Sequence, residues 1–261
     1  MQRAELDHTT RNGAGTAVVS DSLAEHATPP RPLGRVLVTG GSSGLGAAVV
    51  DAVAARHGTP IVLDRQPPRD TDADVAFERV DLADARAAER AVARAIDRHG
   101  GLDAVVTAAG TDSCGKLEDV TGEDWDHVLK VNLLGTVAVV RTALPALLQA
   151  ANPRVVTVAS TLGLRVLSDA TAYCASKFGI VGFSRALALE LAGRVGVTML
   201  IPGGMRTHFF DGRDPLYQPP ADAPLAPPEE MAAGVVFALE RPRGIELREL
   251  VVCPSEETSW P

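Results

Sequence analysis

From Arg35 onward the chain alternates short β-branched and aliphatic runs with longer alanine-rich stretches, and this alternation restricts the fold more than any other feature. The apolar runs predict strands over 35–39, 60–64, 75–80, 103–107, 154–159, 195–201 and 247–253. The stretches between them predict helices over 44–57, 83–99, 123–150, 172–192 and 229–239. Pro145 is expected to kink or break the longest helix near its last turns. Strand, helix, strand in repetition demands parallel pairing through crossover helices. Strands that are apolar at every position need cover on both faces. The expected fold is therefore α/β, a doubly wound parallel sheet of about seven strands with helices on both sides.

One such domain over 35–261 fits the chain length of 261 residues. Residues 1–34 show no period and end in a proline-rich stretch, so they read as a flexible leader. The segment 203–228 carries Pro215, Pro219, Pro220, Pro224, Pro227 and Pro228 and reads as a long irregular loop. Irregular loops of this length are usually functional, and this one is placed as a substrate lid.

Composition narrows the partners. Hydrophobic residues make up 46% and charged residues 22%, which excludes wholesale disorder. A net charge of −8 opposes a nucleic-acid partner, because phosphate binding needs a basic face. No apolar run approaches the roughly 18 residues of a membrane span. The polar N-terminus lacks a secretory core, so a cytoplasmic, membrane-free protein is expected. Cys114, Cys174 and Cys253 lie far apart and show no metal-ligand or disulfide spacing, so no metal is expected. Cys174 reads as a small packing residue rather than a redox centre.

The first strand runs into Thr39-Gly40-Gly41-Ser42-Ser43-Gly44-Leu45-Gly46, and a helix follows. Glycines there permit a tight turn whose N–H groups, with the helix N-terminus, can hold a pyrophosphate. Gly40, Ser42, Ser43, Gly44, Leu45 and Gly46 are accordingly candidate cofactor ligands. Asp64 ends the second strand 18 residues after Gly46, where a carboxylate can accept the hydroxyl hydrogens of an adenosine ribose. Asp81 and Leu82 follow the third strand, near an expected adenine ring. Ala108, Ala109 and Gly110 follow the fourth, and their small size would let a cofactor pass close to the backbone.

Tyr173 and Lys177 stand four residues apart, a spacing that puts both on one helical face. A phenol with a pKa of about 10 is a poor base at neutral pH. An ammonium about 4 Å away would favour the phenolate by roughly 4 kcal/mol at an effective dielectric of about 20. That corresponds to about three pKa units, enough for proton transfer near neutrality. Ser160, just past the fifth strand, can hydrogen-bond a carbonyl oxygen. Asn132, mid-helix, can hold a water that links Lys177 to solvent.

In Thr39-Gly40-x-x-x-Gly44-x-Gly46, Asp81, Asn132, Ser160, Tyr173-x-x-x-Lys177 and Pro202-Gly203-x-x-x-Thr207, the chain resembles the short-chain dehydrogenase/reductase family over 35–253. The resemblance implies a Rossmann-type sheet in the order 3-2-1-4-5-6-7. It implies Tyr173 as general acid/base and Lys177 as the group that lowers its pKa and binds the nicotinamide ribose. Ser160 would position the substrate oxygen and Asn132 support a relay water, while Pro202, Gly203 and Thr207 would join the cofactor site. The chain departs from the family pattern at Thr107, where asparagine is usual. It departs again after Cys253, where Pro254-Ser255-Glu256-Glu257-Thr258-Ser259-Trp260-Pro261 replaces the frequent Asp-Gly-Gly.

The function so implied is NAD(P)-dependent hydride transfer with a small secondary alcohol or ketone. NAD is favoured over NADP because Asp64 would repel a 2′-phosphate and positions 41–43 carry no charge; Arg65 is the contrary feature. Two alternatives are an NADPH-dependent 3-oxoacyl-carrier reductase and an NAD(H)-sensing regulator without turnover. Pocket candidates are Asp112, Ser113, Thr161, Leu162, Arg165, Met205, His208, Phe209, Phe210 and Tyr217. Their mix of charge and aromatic area suggests a sugar-like or cyclic alcohol. A homotetramer or dimer is expected on the helices over 123–150 and 172–192, whose apolar residues exceed one face. Trp260 is placed either on a neighbouring subunit or in a frayed end.

Overall fold

The computed structural model describes residues 32–68 and 75–260, so the leader expected over 1–34 falls outside the described residues except at its end. Among the described residues seven strands pair in the order β3-β2-β1-β4-β5-β6-β7, all parallel. They are β1 Arg35–Thr39, β2 Thr59–Asp64, β3 Ala76–Arg79, β4 Ala104–Thr107, β5 Arg154–Val158, β6 Gly196–Pro202 and β7 Glu249–Val252. The expected strand ends differ from these by one or two residues, because chain ends of a strand depend on neighbouring pairing rather than on local sequence.

The sheet is apolar on both faces for the reason the sequence implies. Side chains alternate along a strand, so Val36 and Val38 point to one side of β1 and Leu37 to the other. Val36 and Val38, with Val62, Val106 and Val156, pack under helices α1 (Gly44–Ala55) and α6 (Pro228–Leu239). Leu37, with Ile61, Leu63, Val105, Val155 and Val197, packs under α2 (Ala85–His99) and its neighbours. Helix α2 begins where Asp84 accepts hydrogen bonds from the N–H groups of Arg86 and Ala87, and ends at Gly100, whose φ of 70° is left-handed.

The long helix expected over 123–150 is three pieces end to end: α3 Gly122–Leu129, a π-helical segment Lys130–Gly135, and α4 Thr136–Leu147. Pro145 lies inside α4 and does not break it. The departure from regular helix falls earlier, where a side chain added at Gly135 would lie 2.8 Å from the carbonyl oxygen of Leu82. The run Gly122–Leu147 is long and apolar enough, by length and composition, to cross a membrane, with a mean hydropathy of 1.4 over one window. In the fold it is a covering layer, since Ala138, Val139, Val140, Ala143 and Leu147 pack into the sheet core. Helix α5 (Thr171–Glu190) follows β5.

The loop 203–228 is less irregular than its prolines suggest. Two short 3₁₀ turns, His208–Phe210 and Pro215–Tyr217, interrupt it, and a bridge between Met205 and Ala226 closes its base. The C-terminal segment folds back on its own chain. The Glu257 carboxylate accepts from the Gly204 N–H at 2.7 Å, and the Ser259 hydroxyl shares a 2.7 Å hydrogen bond with Thr161.

Candidate active site

Strand order reverses between β1 and β4, and the candidate groups gather beyond the C-terminal ends of the strands there, where open α/β sheets place their ligand crevices. The glycines after β1 each answer a steric demand. A side chain at Gly40 would lie 2.8 Å from the Ala109 Cα, and one at Gly46 only 2.1 Å from the Gly40 carbonyl oxygen. Gly44 has a φ of 52° and faces Thr207 from the lid. The turn therefore folds tightly onto both the helix and the end of β4.

The start of α1 is suited to an anion. Ser43 is its N-cap, its side chain caps nothing, and the first turn holds no acidic residue. The helix thus keeps free N–H groups and its positive dipole end. Leu45 is buried and anchors the turn from below. Ser42 is committed inward: its N–H donates to Asp64 Oδ2 at 3.1 Å and its hydroxyl to the Gln66 carbonyl at 2.6 Å. Asp64 Oδ1 accepts from the Gln66 N–H, so this carboxylate braces the turn as well as facing the crevice. These donors fit a pyrophosphate-bearing cofactor.

Beside the turn opens a cleft of about 550 Å³ lined by Arg65, Arg79, Val80, Asp81, Ala87, Arg90 and Arg94. Asp81 is exposed and accepts from the Ala83 N–H, while Leu82 is buried beneath it. Four arginines around one cleft could not be foreseen from sequence, since Arg65, Arg79 and the α2 pair Arg90 and Arg94 come from three separate elements. Arg94 is paired with Glu78 at 3.1 Å.

Past β4, Thr107 is buried and its hydroxyl finds no partner among the described residues. Thr39 supplies the support instead, accepting the Ala109 N–H at 3.2 Å. Gly110 sits where an added Cβ would be 3.7 Å from both Asn132 Oδ1 and Lys177 Nζ. Asn132 lies in the π segment and is buried rather than exposed. It donates both amide hydrogens, to the Thr111 carbonyl at 2.9 Å and Ser176 Oγ at 3.0 Å, and accepts the Thr111 N–H at 2.8 Å. One acceptor lone pair remains for any further partner.

Ser160 caps the short turn Thr161–Gly163, accepting from the Leu162 N–H, and faces the Tyr173 hydroxyl, whose ionisation it favours. Lys177 is buried, donates to the Val158 carbonyl at 2.9 Å, and holds its Nζ 5.6 Å from the centre of the Tyr173 ring. The expected lysine-driven descent of the phenol toward neutrality does not follow from this geometry. Burial pushes Tyr173 up, against which the Ser160 hydroxyl works, and burial brings Lys177 down to about 8. Desolvation is the largest influence on both groups.

Of the pocket candidates, Phe209 packs 5.7 Å from Tyr173, and Phe210 packs edge-on against Phe209. Thr161 holds the C-terminal segment, and Leu162 is half-buried. Met205 stands at the base of the lid and Tyr217 is half-buried in it. Arg165 and His208 point outward into exposed positions, His208 paired with Asp211. Ser113 donates its N–H to Asp112. Sequence reading missed Arg213, which pairs with Asp112, and Glu257 and Ser259, because their partners are distant in sequence. Pro202 ends β6, and a side chain at Gly203 would lie 2.6 Å from the Cys253 Cβ. Thr207 accepts from the Phe209 N–H.

The family model for short chain dehydrogenase matches residues 35–215. The D-threitol dehydrogenase of Mycolicibacterium smegmatis is 33% identical over 77% of this chain and 84% of its own. A 2,5-dichloro-2,5-cyclohexadiene-1,4-diol dehydrogenase of Sphingobium indicum is 30% identical over 77% of this chain and 86% of its own. Among solved structures, a short chain dehydrogenase from Burkholderia cenocepacia in complex with NADP superposes with a TM-score of 0.73 at 27% identity, over 86% of this chain and 98% of that one.

Proposed function

The chain belongs to the short chain dehydrogenase family, and from that premise we propose that it interconverts a secondary alcohol and its ketone with Tyr173 as the proton-transfer group. As a family member it is an oxidoreductase acting on CH–OH groups with a nicotinamide cofactor. The observation that carries the reading is Tyr173 facing Ser160, with Lys177 one helical turn away and its Nζ 5.6 Å from the centre of the phenol ring. The cofactor, when bound, supplies the hydride acceptor or donor. Gly40, Gly44, Leu45 and Gly46 form the turn that would hold its pyrophosphate, with Ser42 bracing it and Ser43 at the helix end. Asp81, Leu82, Ala108, Ala109 and Gly110 would flank it, and Pro202, Gly203 and Thr207 would close its other end.

In the direction of reduction the Tyr173 hydroxyl, kept protonated by burial, gives its proton to the ketone oxygen that Ser160 orients; oxidation is the reverse, with the phenolate taking the alcohol proton. Lys177 adds positive charge, and Asn132 holds the Thr111 backbone in place beside it. The relatives named for D-threitol and a cyclohexadienediol support a neutral substrate with a second hydroxyl. A panel of mono-alcohols and vicinal diols, followed by nicotinamide absorbance, tests this. Turnover of diols at least tenfold better in kcat/KM is expected, and a preference for acyl-carrier ketones would replace the reading.

NAD is the cofactor we favour, because the Asp64 carboxylate sits at the end of β2, where it repels a 2′-phosphate. The arginine-lined cleft favours NADP instead and makes that the second reading. The ratio of kcat/KM values for the two cofactors decides. A preference for NAD of at least about tenfold, equivalent to about 1.4 kcal/mol, is expected. Better use of NADP, lost on Arg65→Ala or Arg79→Ala, would show that the cleft dominates.

A further inference from the structure

We propose that the Arg213–Asp112 ion pair is a positioning device for the active centre: it ties the lid loop to the loop after β4 and sets Phe209 against Tyr173. The reading of Tyr173 as the proton-transfer group underlies part of this proposal. Arg213 Nη2 lies 3.0 Å from Asp112 Oδ2, with side chains only 16% and 7% exposed. The lid's other acid–base contact, between His208 and Asp211, is 67% and 68% exposed, so solvent screens it. Breaking a pair withdrawn from water leaves an uncompensated charge.

The two partners reach each other from separate loops. Asp112 is aimed by its own loop, accepting from the Ser113 N–H at 2.7 Å and from Cys114 Sγ at 3.3 Å. Arg213 arrives from the lid with its guanidinium over the rings of Phe209 and Phe210, at 4.8 and 4.7 Å. Phe209 in turn lies 5.7 Å from the Tyr173 ring. A continuous line of contacts therefore runs from Asp112 through Arg213 and Phe209 to Tyr173.

The pair also balances charge beside the phenol. The Asp112 carboxylate opposes ionisation of Tyr173, and the Arg213 guanidinium favours it. The other groups facing Tyr173 are Ser160, which favours ionisation, Cys174 on the same helix, which opposes it, and Lys177. Asp112 also favours the charged form of Lys177. With both partners present the two fields oppose each other at the phenol. Removing one leaves the other's field acting alone, so the two removals have opposite signs.

Two readouts test the proposal on the full-length protein. The first is the rate of tryptic cleavage after Arg206, inside the lid. Asp112→Asn and Arg213→Gln are each expected to accelerate it several-fold, with circular dichroism unchanged and Arg213→Lys restoring most of the protection. Unchanged cleavage in both variants overturns the proposal. The second is the pH profile of kcat for oxidation of an accepted alcohol. Arg213→Gln is expected to move the Tyr173 limb alkaline and Asp112→Asn to move it acid. The double variant should return toward the wild type. Shifts of the same sign, or none, overturn the proposal. Failure of the function reading would look different: every alcohol would be inert in the wild type, while the cleavage rates still decide whether the pair holds the lid.

Discussion

Tyr173 and Lys177 show how one helical turn can hold two groups whose charges the fold resists. Replacing Tyr173 by phenylalanine removes the hydroxyl that faces Ser160 and should lower kcat by about 10²–10⁴-fold. Nicotinamide cofactor affinity, followed by fluorescence titration, should stay near wild type; retention of a tenth of kcat would remove Tyr173 from the proton path. Lys177 carries a pH signature of its own. Burial lowers its folded pKa from 10.5 to about 8, so between those values the unfolded chain holds the extra proton. Its contribution to the unfolding free energy therefore rises with pH across that window and is flat below it. Urea titrations at pH 8 and pH 10 should show this rise in the wild type and less of it in Lys177→Met; equal slopes would contradict the buried-ammonium picture. At Thr107 a buried hydroxyl lacks a partner among the described residues, so Thr107→Val should leave stability unchanged or raise it by about 1 kcal/mol. A loss of stability in thermal unfolding would reveal a hydrogen bond there.

Elements rather than single groups set the crevice. The turn after β1, the π segment and the lid each place a backbone where a regular element would not. At Gly46 an added methyl group would sit 2.1 Å from a carbonyl oxygen that belongs to the turn itself. Gly46→Ala should therefore push α1 off the turn and weaken nicotinamide cofactor binding by tenfold or more in calorimetry, while the sheet remains folded. Binding within twofold of wild type would mean that the turn does not hold the pyrophosphate. The C-terminal segment works in the same sense on the opposite side. Glu257 accepts the Gly204 N–H and both donors of Ser259, so it pins the start of the lid and the turn after Ser160 together.

The whole molecule presents one face that a monomer has little reason to keep. Along α5, Ala175, Phe178, Gly182, Ala186 and Leu189 are exposed in a stripe, and Leu134 and Leu148 on the neighbouring helical run are exposed as well. A second copy of the chain would bury this stripe, and a dimer or tetramer is the expected state. Light scattering at micromolar concentration should give a multiple of 27.3 kDa, and Phe178→Glu should reduce it to one. A wild-type monomer would remove the face from consideration as an interface.

The layered α/β plan and the candidate groups were legible from sequence because both follow from short-range rules. Apolar strands separated by amphipathic helices have few ways to pair, and a glycine turn or a Tyr-x-x-x-Lys spacing keeps its meaning within one or two helical turns. The π segment was not legible, because no local pattern marks it, and Gly135 at its end packs against Leu82 from another part of the chain. Nor were the states of Tyr173 and Lys177, since the sequence supplied their spacing but not the burial that dominates both. The arginine-lined cleft, the Arg213–Asp112 pair and the hold of Glu257 on Gly204 each join residues from separate elements. Local pattern carries no trace of such pairings; only the packing of the chain against itself decides which charges meet, and how far from water.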